Sequence, residues 1–217
     1  MVRDYILWGA TGQAKVLAEL LRRRPLRLVA VIDRMVECAP FEGIALVRDE
    51  TCFDDWLARS GGHPPAALVA IGGSRGEERR RLQHMLASRG CDILTAIHDA
   101  AYVADDATVG VGSQILAGSV VGTGVRIGEA VIINTGATVD HDCRIDDGVH
   151  LAPGVTLAGE ITVESDVFVG AGATVLPRLR IGRGAIVGAG AVVTRDVPSG
   201  AVVVGIPAGP RTAAVSA

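Results

Sequence analysis

From Ile127 to Val163 the chain reads IGEAVI INTGAT VDHDCR IDDGVH LAPGVT LAGEIT V, and each group of six opens on isoleucine, valine or leucine. The same frame runs back through Val121, Ile115, Val109 and Val103 to Ile97, and forward through Val169, Val175, Ile181 and Val187 to Val193. All seventeen positions are aliphatic. Such residues make up roughly a third of an ordinary chain, so chance agreement is on the order of one in 10⁸. The fourth residue after each is small or apolar as well, as at Ala137, Cys143, Val149, Val155, Ile161 and Val167. Glycine often follows the aliphatic, as in Val109-Gly110, Val121-Gly122 and Val169-Gly170, where it can take conformations that a Cβ forbids.

A period of six belongs neither to a helix nor to a lone strand. It suits a solenoid of three flat faces, each a short strand of about six residues with one aliphatic pointing inward. Eighteen residues then close a coil, and stacked coils pair as parallel strands about 4.8 Å apart. Residues 97–198 make roughly five and a half such coils with no hexad interrupted, so no long loop is expected to leave the prism.

Charge changes where the period begins. Residues 1–96 hold 13 Arg and 1 Lys against 12 Asp and Glu, a net of +2, whereas residues 97–198 hold 6 Arg against 12 Asp and Glu, a net of -6. The shift predicts two domains, 1–96 and 97–198, followed by a tail at 199–217. The first reads as a small α/β unit. Tyr5 to Trp8 is a strand ending at Gly9-Ala10-Thr11-Gly12, and Ala14 to Arg24 is an amphipathic helix presenting Val16, Leu17, Leu20 and Leu21, stopped by Pro25. Leu28 to Ile32 ends at Asp33, Ala66 to Ile71 closes on Gly72-Gly73, and Glu77 to Arg89 is a second helix. Strand, glycine and helix in alternation imply a parallel sheet, with ligands beyond the carboxyl ends of its strands, where Gly9, Gly12, Asp33, Gly72 and Gly73 fall.

Composition excludes several classes. Charged residues at 21% and a net charge of -3 argue against a disordered polyelectrolyte and against a basic nucleic-acid binder. Arg22-Arg23-Arg24 and Arg79-Arg80-Arg81 read as solvated helix ends. No apolar run is long enough to span a membrane, and the first residues show no secretory pattern. Cys38, Cys52, Cys91 and Cys143 lack zinc-ribbon spacing, so four reduced thiols and a cytoplasmic location are expected.

Five histidines are available for chemistry. His63 lies in a Gly-Gly-His-Pro-Pro loop, His84 on a solvated helix face, and His98 at the start of the repeat. His141 stands between Asp140 and Asp142, off the core position of its hexad. A histidine held by a carboxylate has a fixed tautomer and a stabilised imidazolium, as a general base requires. Spacing leaves both aspartates open as its partner, and an ordinary surface pair is the plain alternative. His150 follows nine residues later, half a coil on, so within one chain the two should lie on well-separated parts of the prism. Cys143 takes an inward position and reads as a core thiol rather than a nucleophile.

The whole chain resembles the bacterial nucleotide-sugar N-acetyltransferases of the hexapeptide-repeat class. The marks are Gly9-Ala10-Thr11-Gly12-Gln13-Ala14-Lys15, Ile71-Gly72-Gly73, the segment Asn134 to Cys143 with His150, and Val204-Gly205-Ile206-Pro207-Ala208. The resemblance implies a small Rossmann-like parallel sheet followed by a left-handed parallel β-helix, a homotrimer, and acetyl-CoA as co-substrate without a metal. It implies His141 as general base with Asp142 beside it, and Asn134 as a sugar contact. Gly9, Thr11, Gly12, Gln13, Asp33, Gly72 and Gly73 would hold the nucleotide diphosphate, and His150, Gly159 and Ala171 the acetyl-CoA. GDP-perosamine is the favoured substrate. Gln13 departs from the family, which often has histidine there, and Arg34 follows Asp33 where some members have a second acidic residue.

Other readings remain in view at this point: a UDP-linked amino sugar as acceptor, an O-acetyltransferase for a sialic-acid-type sugar, or a purely structural prism. A β-helix carbonic anhydrase needs three converging imidazoles, and only His141 and His150 lie inside the repeat proper.

Overall fold

The computed structural model describes residues 2–59 and 63–211. Gly61 and Gly62 of the predicted loop and the tail beyond residue 211 lie outside the described residues. The chain divides into two compact units, one running to Gly72 and resuming at Glu78–Ala96, the other made of Gly73–Glu77 and everything from Ile97.

The first unit is built on five parallel strands, β1 (Arg3–Trp8), β2 (Leu26–Ile32), β3 (Ala45–Val47), β4 (Ala66–Val69) and β5 (Asp92–Ile93), in the order β3-β2-β1-β4-β5. Three helices accompany them, α1 (Gly12–Leu21), α2 (Glu50–Arg59) and α3 (Gly76–Ser88). Ile6, Trp8, Ile32, Phe53, Val69, Leu82 and Leu86 form one core cluster, with the Trp8 and Phe53 rings edge to face at 5.7 Å. Helix α1 buries Ala14, Leu17, Leu20 and Leu21. Val16, expected on that face, is 43% exposed, because the stripe follows the three-and-four spacing set by Ala14.

Strand β3 and helix α2 have no counterpart among the sequence expectations. The strand is three residues long, and α2 fully buries only Phe53. Its start was nonetheless written in the chain: the Asp49 carboxylate accepts the Cys52 N–H at 2.8 Å, an ordinary N-cap. A correction also falls on Arg79. It is fully buried rather than solvated, and its guanidinium donates to the Ile71 carbonyl at 3.0 Å, so the charge enters the interior with hydrogen bonds made.

The second unit is a prism of three parallel faces. The first carries strands such as Val120–Val121, Thr138–Val139 and Thr156–Leu157; the second, Arg126–Ile127, Arg144–Ile145 and Thr162–Val163; the third, Ile132–Ile133, His150–Leu151 and Phe168–Val169. Each residue pairs with the one eighteen positions later, as Val139 does with Leu157. These faces and their period fit a left-handed parallel β-helix. Regular pairing covers two residues per hexad, not the six expected. The reason is the third residue after each inward aliphatic, which has positive φ in hexad after hexad, as at Gly136 (66°), Gly148 (71°) and Gly154 (69°). That conformation ends a strand and turns the corner. From Ile115 onward the inward aliphatics are buried. Val103 and Val109 are only half-buried, since the first coil has a stacked neighbour on one side alone.

Candidate active site

His141 sits on the corner where the first face gives way to the second. Asp140, His141 and Asp142 make the turn between strands Thr138–Val139 and Arg144–Ile145, and the coils on either side grip it through the backbone. Asp142 donates its N–H to the Thr123 carbonyl at 3.0 Å, and the Glu160 N–H reaches the His141 carbonyl at 2.9 Å. Asp142 occupies the left-handed position of its hexad at φ 56°, which aspartate tolerates better than most residues.

The two aspartates flanking His141 have different tasks. Asp140 accepts the backbone N–H of His141 at 2.8 Å. Asp142 stands 2.9 Å from the ring, Oδ2 to Nδ1. A carboxylate can only accept, so Nδ1 carries the proton and Nε2 is left with its lone pair. The hydrogen bond from Asp142 raises the histidine above its ordinary value of 6.5 against an opposing desolvation, and the charges of Asp140, Asp142 and Glu160 add to the rise. The side chain stays 47% exposed, so a substrate can reach it.

Gly159, one coil along, lies against the ring. A Cβ there would stand 2.6 Å from Cε1 of His141 and collide with Nε2. Only glycine leaves that edge of the imidazole clear.

His150 is different in every respect. It points from the third face, is 6% exposed, and stands edge to face with Phe168 at 5.3 Å. The Gly73 N–H donates to its Nδ1 at 2.8 Å, and the Asn134 amide lies 3.2 Å from its Nε2. Its neighbours are thus two residues expected to bind the sugar nucleotide. Ala171 is exposed, on the corner after strand Phe168–Val169. A single prism therefore distributes Gly159, His150 and Ala171 over two corners and a face and does not gather them.

In the first unit the remaining expected residues do gather. Gly9 follows β1 at φ 112°, and a Cβ there would approach the Ala70 carbonyl oxygen to 2.5 Å. Asp33, at the end of β2, accepts the Ala10 N–H at 2.9 Å and the Met35 N–H at 2.8 Å, tying the Gly9 turn to the loop after β2. Thr11 precedes α1 as its N-cap residue, Gly12 opens that helix, Gln13 is half-buried behind it, and Gly72 follows β4. Gly73 belongs with the other unit.

The sequence reading passed over an open groove of about 560 Å³ on the second face, lined by Arg126, Arg144, Asp146, Asp147, Ser165 and Arg183 among others. Arginine at 126 and 144, eighteen apart, was the available signal. Among the described residues no group of three His, Cys, Asp or Glu could hold a metal ion. No helix among them is long and apolar enough to cross a membrane.

Residues 124–159 and 160–195 match the family of bacterial transferase hexapeptides (six repeats). No curated protein matches the chain significantly. Solved structures do. The H141N variant of perosamine N-acetyltransferase from Caulobacter crescentus, in complex with CoA and GDP-perosamine, is 33% identical over 98% of this chain and 99% of its own, with a TM-score of 0.88. The acetyltransferase domain of PglB from Neisseria gonorrhoeae is 32% identical over 96% of this chain and 100% of its own, at 0.85. WeeI from Acinetobacter baumannii is 28% identical over 96% and 99%, at 0.83.

Proposed function

The chain belongs to the hexapeptide-repeat sugar N-acetyltransferases, and from that premise we propose that it moves the acetyl group of acetyl-CoA to the 4-amino group of a nucleotide-linked 4-amino-4,6-dideoxysugar. GDP-perosamine is the favoured acceptor. The observation that carries this reading is the His141–Asp142 pair, with Nδ1 committed to the carboxylate and Nε2 free on an exposed corner.

In this reading Nε2 of His141 takes a proton from the sugar amine as its nitrogen bonds to the thioester carbon. Asp142 steadies the imidazolium that forms. The Gly159 N–H is assigned to the carbonyl oxygen as it gains charge, since the neighbouring Ala158, Glu160 and Ile161 N–H groups are already bonded within the prism. The C–S bond then breaks, and the imidazolium returns its proton to the departing thiolate. None of these steps requires a metal.

The nucleotide diphosphate is assigned to the first unit, read as a Rossmann-like sheet. The loops at Gly9–Gln13, Asp33 and Gly72 all follow carboxyl ends of strands, and β1 and β4 flank the point where strand order reverses, the usual ligand position in such sheets. Gly73 and Asn134, which flank His150 in the second unit, are assigned to the sugar. His150 has both ring nitrogens facing these two residues, which supports a role in fixing them rather than a direct bond to acetyl-CoA. A homotrimer would place the corner of one prism beside that of the next and so bring Gly159 and Ala171 of different copies to one acetyl-CoA. The cytoplasm is the proposed location.

The test is thiol release from acetyl-CoA in the presence of GDP-perosamine, run beside a UDP-linked 4-amino sugar. Release with the GDP sugar is expected. Release with the UDP sugar alone would replace the acceptor and keep the chemistry, and silence with both would overturn the reading.

A further inference from the structure

The turn that carries Gly159 is held differently from most others in the prism. In many hexads the turn closes on itself: Ala137 donates its N–H to the Asn134 carbonyl at 3.0 Å, Ala173 to Gly170 at 3.2 Å and Ala185 to Gly182 at 3.1 Å. In the hexad of Gly159 the corresponding donor is Ile161, and it does not turn back to Ala158. Its N–H goes instead to Sγ of Cys143, one coil earlier, at 3.4 Å. The thiol in turn donates to the Ala158 carbonyl at 3.1 Å. Cys143 therefore stands inside the open turn and makes both of its missing bonds. The same device occurs once more, with a hydroxyl. Ser113 Oγ donates to the Gly128 carbonyl at 2.8 Å and accepts the Val131 N–H at 3.0 Å.

Position gives the two bridges different meaning. Ser113 braces the turn from Gly128 to Val131, which contains no residue assigned to chemistry. Cys143 braces Ala158 to Ile161, between which lies Gly159, whose backbone rests against Nε2 of His141. Cys143 is also two residues beyond His141 on its own coil, so one side chain spans the two turns whose separation defines the reacting corner. It is 1% exposed, and burial keeps the thiol protonated by pushing it above its ordinary value. It thus retains the hydrogen it donates.

We infer that Cys143 is a positioning residue for acetyl transfer: its thiol sets the distance between the Gly159 backbone and the His141 imidazole. The inference rests on the acetyltransferase reading above. Misplacement on the scale of an ångström at a reacting centre costs about a hundredfold in rate, and a partial shift proportionately less.

The experiment compares Cys143→Ala, Cys143→Ser and Ser113→Ala with the full-length wild type. Alanine already stands at the equivalent place in other hexads, at Ala137 and Ala173, so the core accepts it. Four quantities are read: melting temperature, kcat, KM for both substrates, and the ¹⁵N imidazole titration of His141, assigned by its loss in His141→Ala. Cys143→Ala is expected to lower kcat about tenfold with KM nearly unchanged and to move the His141 resonances. Cys143→Ser is expected to restore both, as Ser113 shows a hydroxyl can. Ser113→Ala should lower the melting temperature by a similar amount and leave kcat alone. Three results would each overturn the inference: wild-type kcat and His141 resonances in Cys143→Ala, equal loss in Cys143→Ser, or an equal loss of kcat in Ser113→Ala. A wild type that releases no thiol would fail the functional reading instead, and the His141 resonances would still decide whether Cys143 positions the ring.

Discussion

His141 and His150 are nine residues apart on the same solenoid, and their surroundings make them opposites. His141 stands on a corner, half open to solvent, with a carboxylate on Nδ1 and two further acids nearby. His150 lies on a face, closed in by Phe168, with a backbone N–H and an amide on its ring nitrogens. The fold offers both kinds of place at every turn. Corners carry residues that need not pack, so they are free to hold strained, charged and reactive groups, whereas face positions are held by their neighbours. The difference teaches that in this prism the phase of a residue within its hexad decides whether it stands open beside acids or closed in by its neighbours.

The strongest challenge to that contrast is removal of the corner ring. His141→Ala should lower kcat by about 10²- to 10⁴-fold with the melting temperature unchanged, measured by thiol release and thermal denaturation. Near-normal turnover would remove the corner from the mechanism. Next comes Gly159→Ala, whose added methyl occupies the edge of the ring. A loss of about a hundredfold in kcat is expected, and a crystal structure of the variant should show the imidazole displaced from Asp142.

Asp142→Asn sharpens the comparison through pH. On the proposed mechanism, wild-type activity should fall as pH drops through the histidine value, which the Asp142 hydrogen bond chiefly holds above 6.5. Without that carboxylate the free base persists to lower pH, so the acid limb of kcat/KM should move down while kcat drops about tenfold. The smallest catalytic effect is expected at the other histidine. His150→Ala leaves the Gly73 N–H without its acceptor and should cost about 1–3 kcal/mol in stability, read by denaturant unfolding, with the acid limb where it was. A moving limb in that variant would dissolve the distinction between corner and face.

The β-helix was legible because one rule repeats seventeen times, and the repetition outweighs any single ambiguous residue. The left-handed positions were not legible: the glycines that stand out directly follow the aliphatics, as at Gly110, Gly122 and Gly170, and lack a positive φ, glycine being needed there because a Cβ would run into the next coil. The left-handed residue lies two places further on, and at Ala130, Asp142, Glu160, Asp166 and Arg178 stacking on neighbouring coils overrides the preference of the residue. In the first unit, α2 escaped notice because most of its surface is polar and one phenylalanine does most of its packing. Arg79 misled for a related reason: three consecutive arginines look like a solvated end, yet successive residues on a helix face different ways, and one of the three had to point inward. At the candidate site, the histidine between two aspartates invited attention at once. Which aspartate meets the ring was not written in spacing, since both adjoin it and only the left-handed turn at Asp142 directs that carboxylate onto Nδ1. The thiol bridge was invisible for a deeper reason. It links positions eighteen apart through a residue type that also suits a core.

The stacking of His141 on Gly159 also sets a grammar for how such a protein can lengthen. The core is indifferent to added hexads, because any multiple of six keeps every aliphatic pointing inward. The reacting corner is not. Six residues inserted between His141 and Gly159 would rotate the glycine onto the next edge of the prism, and eighteen would lift it a whole rung away. Growth by duplication is therefore free toward either end of the solenoid and forbidden between these two coils, so the molecule carries two reading frames at once, a loose one for folding and a strict one for chemistry.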